Sequence, residues 1–119
     1  MTTYKETFAK LDRAALIPFF VIGDPDYAAS LEVVKAAIDA GADVLELGIA
    51  FSDPIADGPV IQTSSKIALE KGANIDNLLS FLKRVKAKVK APLILMSYYN
   101  PILQYGTPKF LKKSCWTRH

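Results

Sequence analysis

Three carboxylates, Glu46, Asp53 and Asp57, fall inside one short stretch, LELGIAFSDPIADGP at residues 45–59. Glu46 stands between two leucines, in a run that reads as a strand. A strand alternates its faces with period two, so Leu45, Leu47 and Ile49 share one face and Val44, Glu46 and Gly48 the other. The leucine face suits a covering layer of helices. The second face is small except for Glu46, which points to the interior of a sheet or barrel near the carboxyl end of the strand, where α/β enzymes place their chemistry. Partial desolvation there disfavours the charged carboxylate. A carboxyl group poised between its two states can both take and give a proton, worth roughly 10²–10⁴-fold in rate. The competing reading is a structural carboxylate paired with a buried Lys or Arg. Asp53 and Asp57 can accept hydrogen bonds from a ligand or cap the helix that follows. Pro54 and Pro59 restrict the loop backbone, and Gly58 permits close approach.

These groups need a scaffold, and the rest of the chain supplies an alternating one. TYKETFAKL reads as a short amphipathic helix, with Tyr4, Phe8 and Leu11 at helical spacing. AALIPFFVIGD is a mostly apolar strand ending at the turn Gly23-Asp24-Pro25, with Pro18 near its start because proline cannot donate to a ladder. Residues 27–40 read as a helix with the stripe Leu31, Val34 and Ile38, flanked by Val33 and Ala37 and stopped by Gly41. DVLELGI is the second strand. VIQTSSKIALEKG is a short helix stopped by Gly72. Asn74 is set to cap a helix over 75–89 whose residues Ile75, Leu78, Leu79, Leu82, Val85 and Val89 face the core. APLILMSYY is the third strand, ended by Asn100-Pro101, and Thr107-Pro108 opens a last helix. After the first helix the expected order is β, α, β, α, α, β, α, an α/β arrangement with a parallel sheet and right-handed crossovers.

The chain has 119 residues, half of them hydrophobic and 23% charged, a soluble globular composition. No apolar run approaches the roughly 20 residues of a membrane helix. The start, MTTYKETFAKLDR, lacks the apolar region of a signal peptide, and the single cysteine, Cys115, fits a reducing compartment; both point to the cytoplasm. Net charge is +3, with much of it in LKRVKAKVK and KKSCWTRH. Lys83, Arg84, Lys86, Lys88 and Lys90 lie near a helix end, where cations suit the helix dipole. Without interleaved aromatics this is a solvated face rather than a nucleic-acid footprint.

PFFVIGDPD, GADVLELGIAFSDPIADGPVIQ and YYNPI together resemble the tryptophan synthase alpha subunit, over about residues 4 to 113. The resemblance implies a TIM (β/α)8 barrel, of which this chain supplies about the first three βα units of a single domain. It implies a lyase of tryptophan biosynthesis, making a retro-aldol cleavage of indole-3-glycerol phosphate to indole and glyceraldehyde 3-phosphate without a metal or cofactor of its own. The family's partner is a beta subunit that carries pyridoxal phosphate, in an α2β2 heterotetramer. By motif, Glu46 takes the place of the general acid/base, and Asp57 that of the group bonded to the indole N–H. Phe19 and Tyr98 match positions that line the substrate pocket, with the pair Tyr98-Tyr99 leaving that register open. Asp53 and Pro54 match the contact with the beta subunit.

Two features depart from the family pattern. Ala50 replaces a usual proline, freeing the backbone before Phe51. A barrel of this type typically needs about 250 residues, and CWTRH, residues 115–119, does not resemble the usual continuation into a fourth strand. The expectation is a truncated or frameshifted product, weak or inactive alone, with an inactive binding or self-associating module as the alternative.

Overall fold

A computed structural model of the chain describes residues 2–115. The expected tail at 115–119 therefore lies outside the described residues except for Cys115, an exposed free thiol that ends the last helix. Three strands, β1 (Phe19–Val21), β2 (Leu45–Gly48) and β3 (Leu93–Met96), form one sheet in the order β1-β2-β3, both pairs parallel. Around them run α1 (Tyr4–Ala9), α2 (Tyr27–Asp39), α3 (Pro59–Glu70), α4 (Ile75–Lys88), α5 (Tyr99–Tyr105) and α6 (Thr107–Ser114).

Leu45 and Leu47 are fully buried, and so are Val34 of α2 and Phe81 and Val85 of α4. The core therefore sits between the leucine face of the sheet and the helices α2 and α4, with Ile22, Leu78, Leu79, Leu82 and Val89 completing it. Phe81 stands outside the expected α4 stripe yet has no exposed surface. Its ring packs against Tyr27 of α2 at 5.6 Å between centroids. Val33 flanks the α2 stripe but stays 39% exposed.

Local signals place most helix ends. The Asn74 side chain accepts the Asn77 amide at 2.8 Å, capping α4. Gly41 and Gly72 follow the last turns of α2 and α3. The carbonyl of Pro18 accepts the Glu46 amide at 3.0 Å just before β1 begins, which puts the proline at the strand entry as expected. Thr3 and Glu6 form a reciprocal capping box on α1. That helix buries none of its residues: Tyr4 and Phe8 are about half exposed, and the Tyr4 hydroxyl instead donates to the Leu93 carbonyl at 2.8 Å. Asp43 ties the entry of β2 to that of β1, accepting from Nη1 and Nη2 of Arg13 and from the Leu16 amide.

One expectation fails at the third strand. β3 ends at Met96, and Asn100-Pro101 lies in the first turn of α5 rather than forming a turn. Proline is compatible with a first helical turn because the amide it lacks has no intrahelical partner there.

Candidate active site

The sheet face opposite the core carries the groups singled out above. Phe19 opens β1 directly beside Glu46, the two being register partners, and Ile94 pairs with Glu46 on the other side. Both Phe19 and Glu46 are half-buried. Among the described residues no ion pair includes Glu46. The competing reading, a structural carboxylate neutralised by a buried cation, thus has no partner residue here. Two residues further along the same face is Gly48. A Cβ built there would stand 2.7 Å from Cζ of Phe19, so glycine is what lets the Phe19 ring lie across β2.

Above that ring opens a cavity of about 240 Å³, lined among others by Phe19, Gly48, Asp57, Ser65, Met96 and Tyr98. Glu46 is one strand repeat deeper, some 6–7 Å below Gly48 at about 3.3 Å per residue, on the floor side of the same face. The Phe19 ring, reaching up from the start of β1, thus meets Asp57 and Tyr98, which follow the carboxyl ends of β2 and β3, with Glu46 one repeat deeper on β2.

The β2–α3 loop is held by Tyr98. Its hydroxyl accepts the Ala56 amide at 3.0 Å and donates to Asp57 Oδ2 at 3.1 Å. Burial pushes the Tyr98 hydroxyl above its ordinary pKa, and the bond to the Asp57 carboxylate adds to that, against the Ala56 amide. The phenol therefore stays a proton donor throughout the neutral range. The Tyr98 ring packs on Phe51 at 5.1 Å between centroids. Asp57 does not cap α3: the N-cap is Gly58, which has no side-chain cap bond. Its carboxylate is left for Tyr98 and for whatever enters the cavity.

Asp53 and Pro54 lie elsewhere. Asp53 is exposed and accepts the Ser52 hydroxyl at 2.9 Å. Pro54 borders an outer groove with Gln62 and Lys66. Neither lines the cavity.

The sequence reading missed Gly48, Ser65 and Gln62. Gln62 donates from Nε2 to the Asp57 carbonyl at 2.7 Å. Ser65 is buried at 3% exposure, four residues after Ile61 and three before Ala68 on the packed face of α3. A serine at helical spacing inside an apolar stripe was the available signal. For Gly48 the signal was a side-chain-free position on the Glu46 face.

A consecutive parallel order is shared by barrels and open sheets, so three strands alone leave both possible. Superposition on solved structures decides it. The tryptophan synthase subunit alpha of Legionella pneumophila str. Paris superposes with a TM-score of 0.89 at 37% identity, over 93% of this chain and 44% of that one. Tryptophan synthase from M. tuberculosis, in its aminoacrylate-bound form, gives 0.79 at 34% identity, over 85% and 41%. The class is a parallel (β/α) barrel, of which the described elements are an arc with its candidate site at the carboxyl ends of the strands.

Sequence relatives name the family. The model of the tryptophan synthase alpha chain matches residues 6–116. Alpha chains from Pyropia yezoensis and Desulfatibacillum aliphaticivorans are 44% and 48% identical, over 93% and 92% of this chain. The chain belongs to the tryptophan synthase alpha chain family, and it spans 43% of the length of those two relatives.

Proposed function

We propose that this chain carries the proton-transfer and indole-recognition groups of a lyase that splits indole-3-glycerol phosphate into indole and glyceraldehyde 3-phosphate. The observation that supports it best is the convergence of Phe19, Asp57 and Tyr98 on one cavity, with Glu46, the register partner of Phe19, on the same sheet face just outside the cavity lining. At about 240 Å³ the cavity is smaller than the roughly 300–1,000 Å³ of sites for drug-sized ligands. That suits one flat ring system stacked near Phe19.

In this reading Glu46 delivers a proton to the indole ring carbon whose bond to the glycerol phosphate chain breaks. The Asp57 carboxylate accepts the indole N–H and stabilises the positive charge that builds on the ring as it becomes an indolenine. Tyr98 holds Asp57 in that pose, so its orientation is set before the substrate arrives. No metal or cofactor of the chain's own enters the proposal. Asp53, exposed, and Pro54, half-buried beside the outer groove, are proposed as the contact with a beta-type subunit carrying pyridoxal phosphate. The experiment is indole release from indole-3-glycerol phosphate, measured with and without such a subunit. Glu46→Gln is expected to abolish whatever turnover is seen, and full activity in that variant removes Glu46 from its role.

A second reading, a binding or self-associating module without chemistry, draws on the sheet edges. Among the described residues β1 and β3 each pair on one side only. Ile17, Val33 and Val60 are exposed at 38%, 39% and 78%. Exposed edges and apolar patches favour association. Light scattering at several concentrations separates the two, since a concentration-independent monomer argues against assembly.

A further inference from the structure

We propose that the hydrogen bond between Asp24 and Ser64 is a positioning contact for the site: it fixes where α3 lies on the β1 turn, and so keeps Asp57 within reach of Tyr98. The inference deepens the reading above and rests on it for its functional meaning.

Ser64 Oγ donates to Asp24 Oδ2 at 2.5 Å in a partly buried setting, across 40 residues of sequence. Bonds to a carboxylate are the shorter and stronger kind. The turn that carries Asp24 is itself fixed. The Gly23 amide donates to the Ser30 hydroxyl at 2.9 Å, with Ser30 only 3% exposed. Gly23 has φ +102, and a Cβ there would stand 3.2 Å from the Cβ atoms of both Ala68 and Ala73. Only glycine lets α3 and its following turn approach that closely. The turn is therefore a rigid anchor, and Ser64 is the polar tie from α3 to it.

The start of α3 needs such a tie. Gly58 provides no side-chain cap, and the one local tie, Gln62 Nε2 on the Asp57 carbonyl at 2.7 Å, belongs to α3 itself and travels with the helix rather than fixing where the helix lies. Asp57 sits just ahead of the first helical residue, Pro59. Ser64 lies five residues beyond Pro59, about 7–8 Å along the axis at 1.5 Å per residue. A helix is stiff over that distance. Holding Ser64 on Asp24 holds the helix start, and the loop with Ala56 and Asp57 follows.

Backbone amide exchange on the chain, read residue by residue by NMR, tests this without substrate. The reporter is the Ala56 amide, bonded to the Tyr98 hydroxyl at 3.0 Å; the reference is the core amide of Leu45, bonded to the Pro92 carbonyl at 3.0 Å. Ser64→Ala is expected to lower Ala56 protection about tenfold more than Leu45 protection, because local opening is freed while the core stays shut. Ser64→Thr, which keeps the hydroxyl, is expected to restore it. Equal losses at both amides assign the bond to general stability and overturn the proposal. An unchanged Ala56 overturns it too. A chain that releases no indole leaves this readout intact, so the two ideas fail separately.

Discussion

The Tyr98 hydroxyl bridges the Ala56 amide and the Asp57 carboxylate, at 3.0 and 3.1 Å, and joins the end of β3 to the loop after β2. One phenol therefore decides the pose of the carboxylate proposed to meet the indole nitrogen. Its ring is held in turn by Phe51.

Tyr98→Phe keeps the ring and removes both bonds. A typical intramolecular hydrogen bond contributes about 0.5–1.5 kcal/mol net, and the partly exposed loop places this pair toward the lower end. The urea midpoint is expected to fall with the m-value unchanged, while the Ala56 amide loses its exchange protection. An unchanged Ala56 amide would show that the hydroxyl does not hold the loop.

Gly48→Ala puts a methyl group where the Phe19 ring now lies, at 2.7 Å from Cζ. Overpacking of this kind typically costs about 1–3 kcal/mol. Phe19 must swing away from β2, so an indole-sized ligand is expected to bind more weakly even where the fold survives. Calorimetric melting and ligand-induced shifts of the Phe19 ring resonances check the two parts separately. The paired change Gly48→Ala with Phe19→Leu should recover part of the stability.

Glu46→Gln separates chemistry from folding. With no ion pair at Glu46 among the described residues, the neutral isostere is expected to shift stability by less than about 0.5 kcal/mol. Any indole-releasing activity should vanish all the same. A large loss of stability would revive the structural reading of this carboxylate.

Asp43 should contribute to acid sensitivity. The Arg13 guanidinium first, and the Leu16 amide second, hold its carboxyl below the usual range. A depressed folded-state value contributes stability above the unfolded value near pH 4, and that contribution is lost as pH falls through the folded value. Chain stability is therefore expected to drop on acidification below about pH 4. Asp43→Asn should flatten that limb of the stability–pH curve while leaving the fold's response above pH 5 little changed. An unaltered acid limb would place the effect in other carboxylates.

Much of the fold is legible along the chain because its signals are local. Asn74 caps α4 through its own side chain, Gly41 and Gly72 follow helix ends, and Pro18 stands at a strand entry because it has no amide to give. Period-two alternation alone assigned Leu45 and Leu47 to the helices and Glu46 to the opposite face. Where it failed, the deciding contact came from elsewhere. Asn100-Pro101 carries turn residues, yet the chain from Tyr99 turns into α5, whose Tyr105 hydroxyl reaches Asp76 on α4 at 2.7 Å. Phe81 lies off the expected stripe, and only the packing of Tyr27 of α2 against it makes it core.

By itself, then, the sequence determined the alternating α/β plan, the side of β2 on which Glu46 stands, and the family that the motif around Asp57 resembles. These follow from backbone periodicity, capping and residue identity, which act over a few positions. The tertiary structure decided that Tyr98, 41 residues from Asp57, holds its carboxylate, that Gly48 makes room for Phe19, and that Asp24 reaches Ser64. Parallel pairing brings together the carboxyl ends of strands that are far apart in the chain, and no local pattern records which side chains meet there.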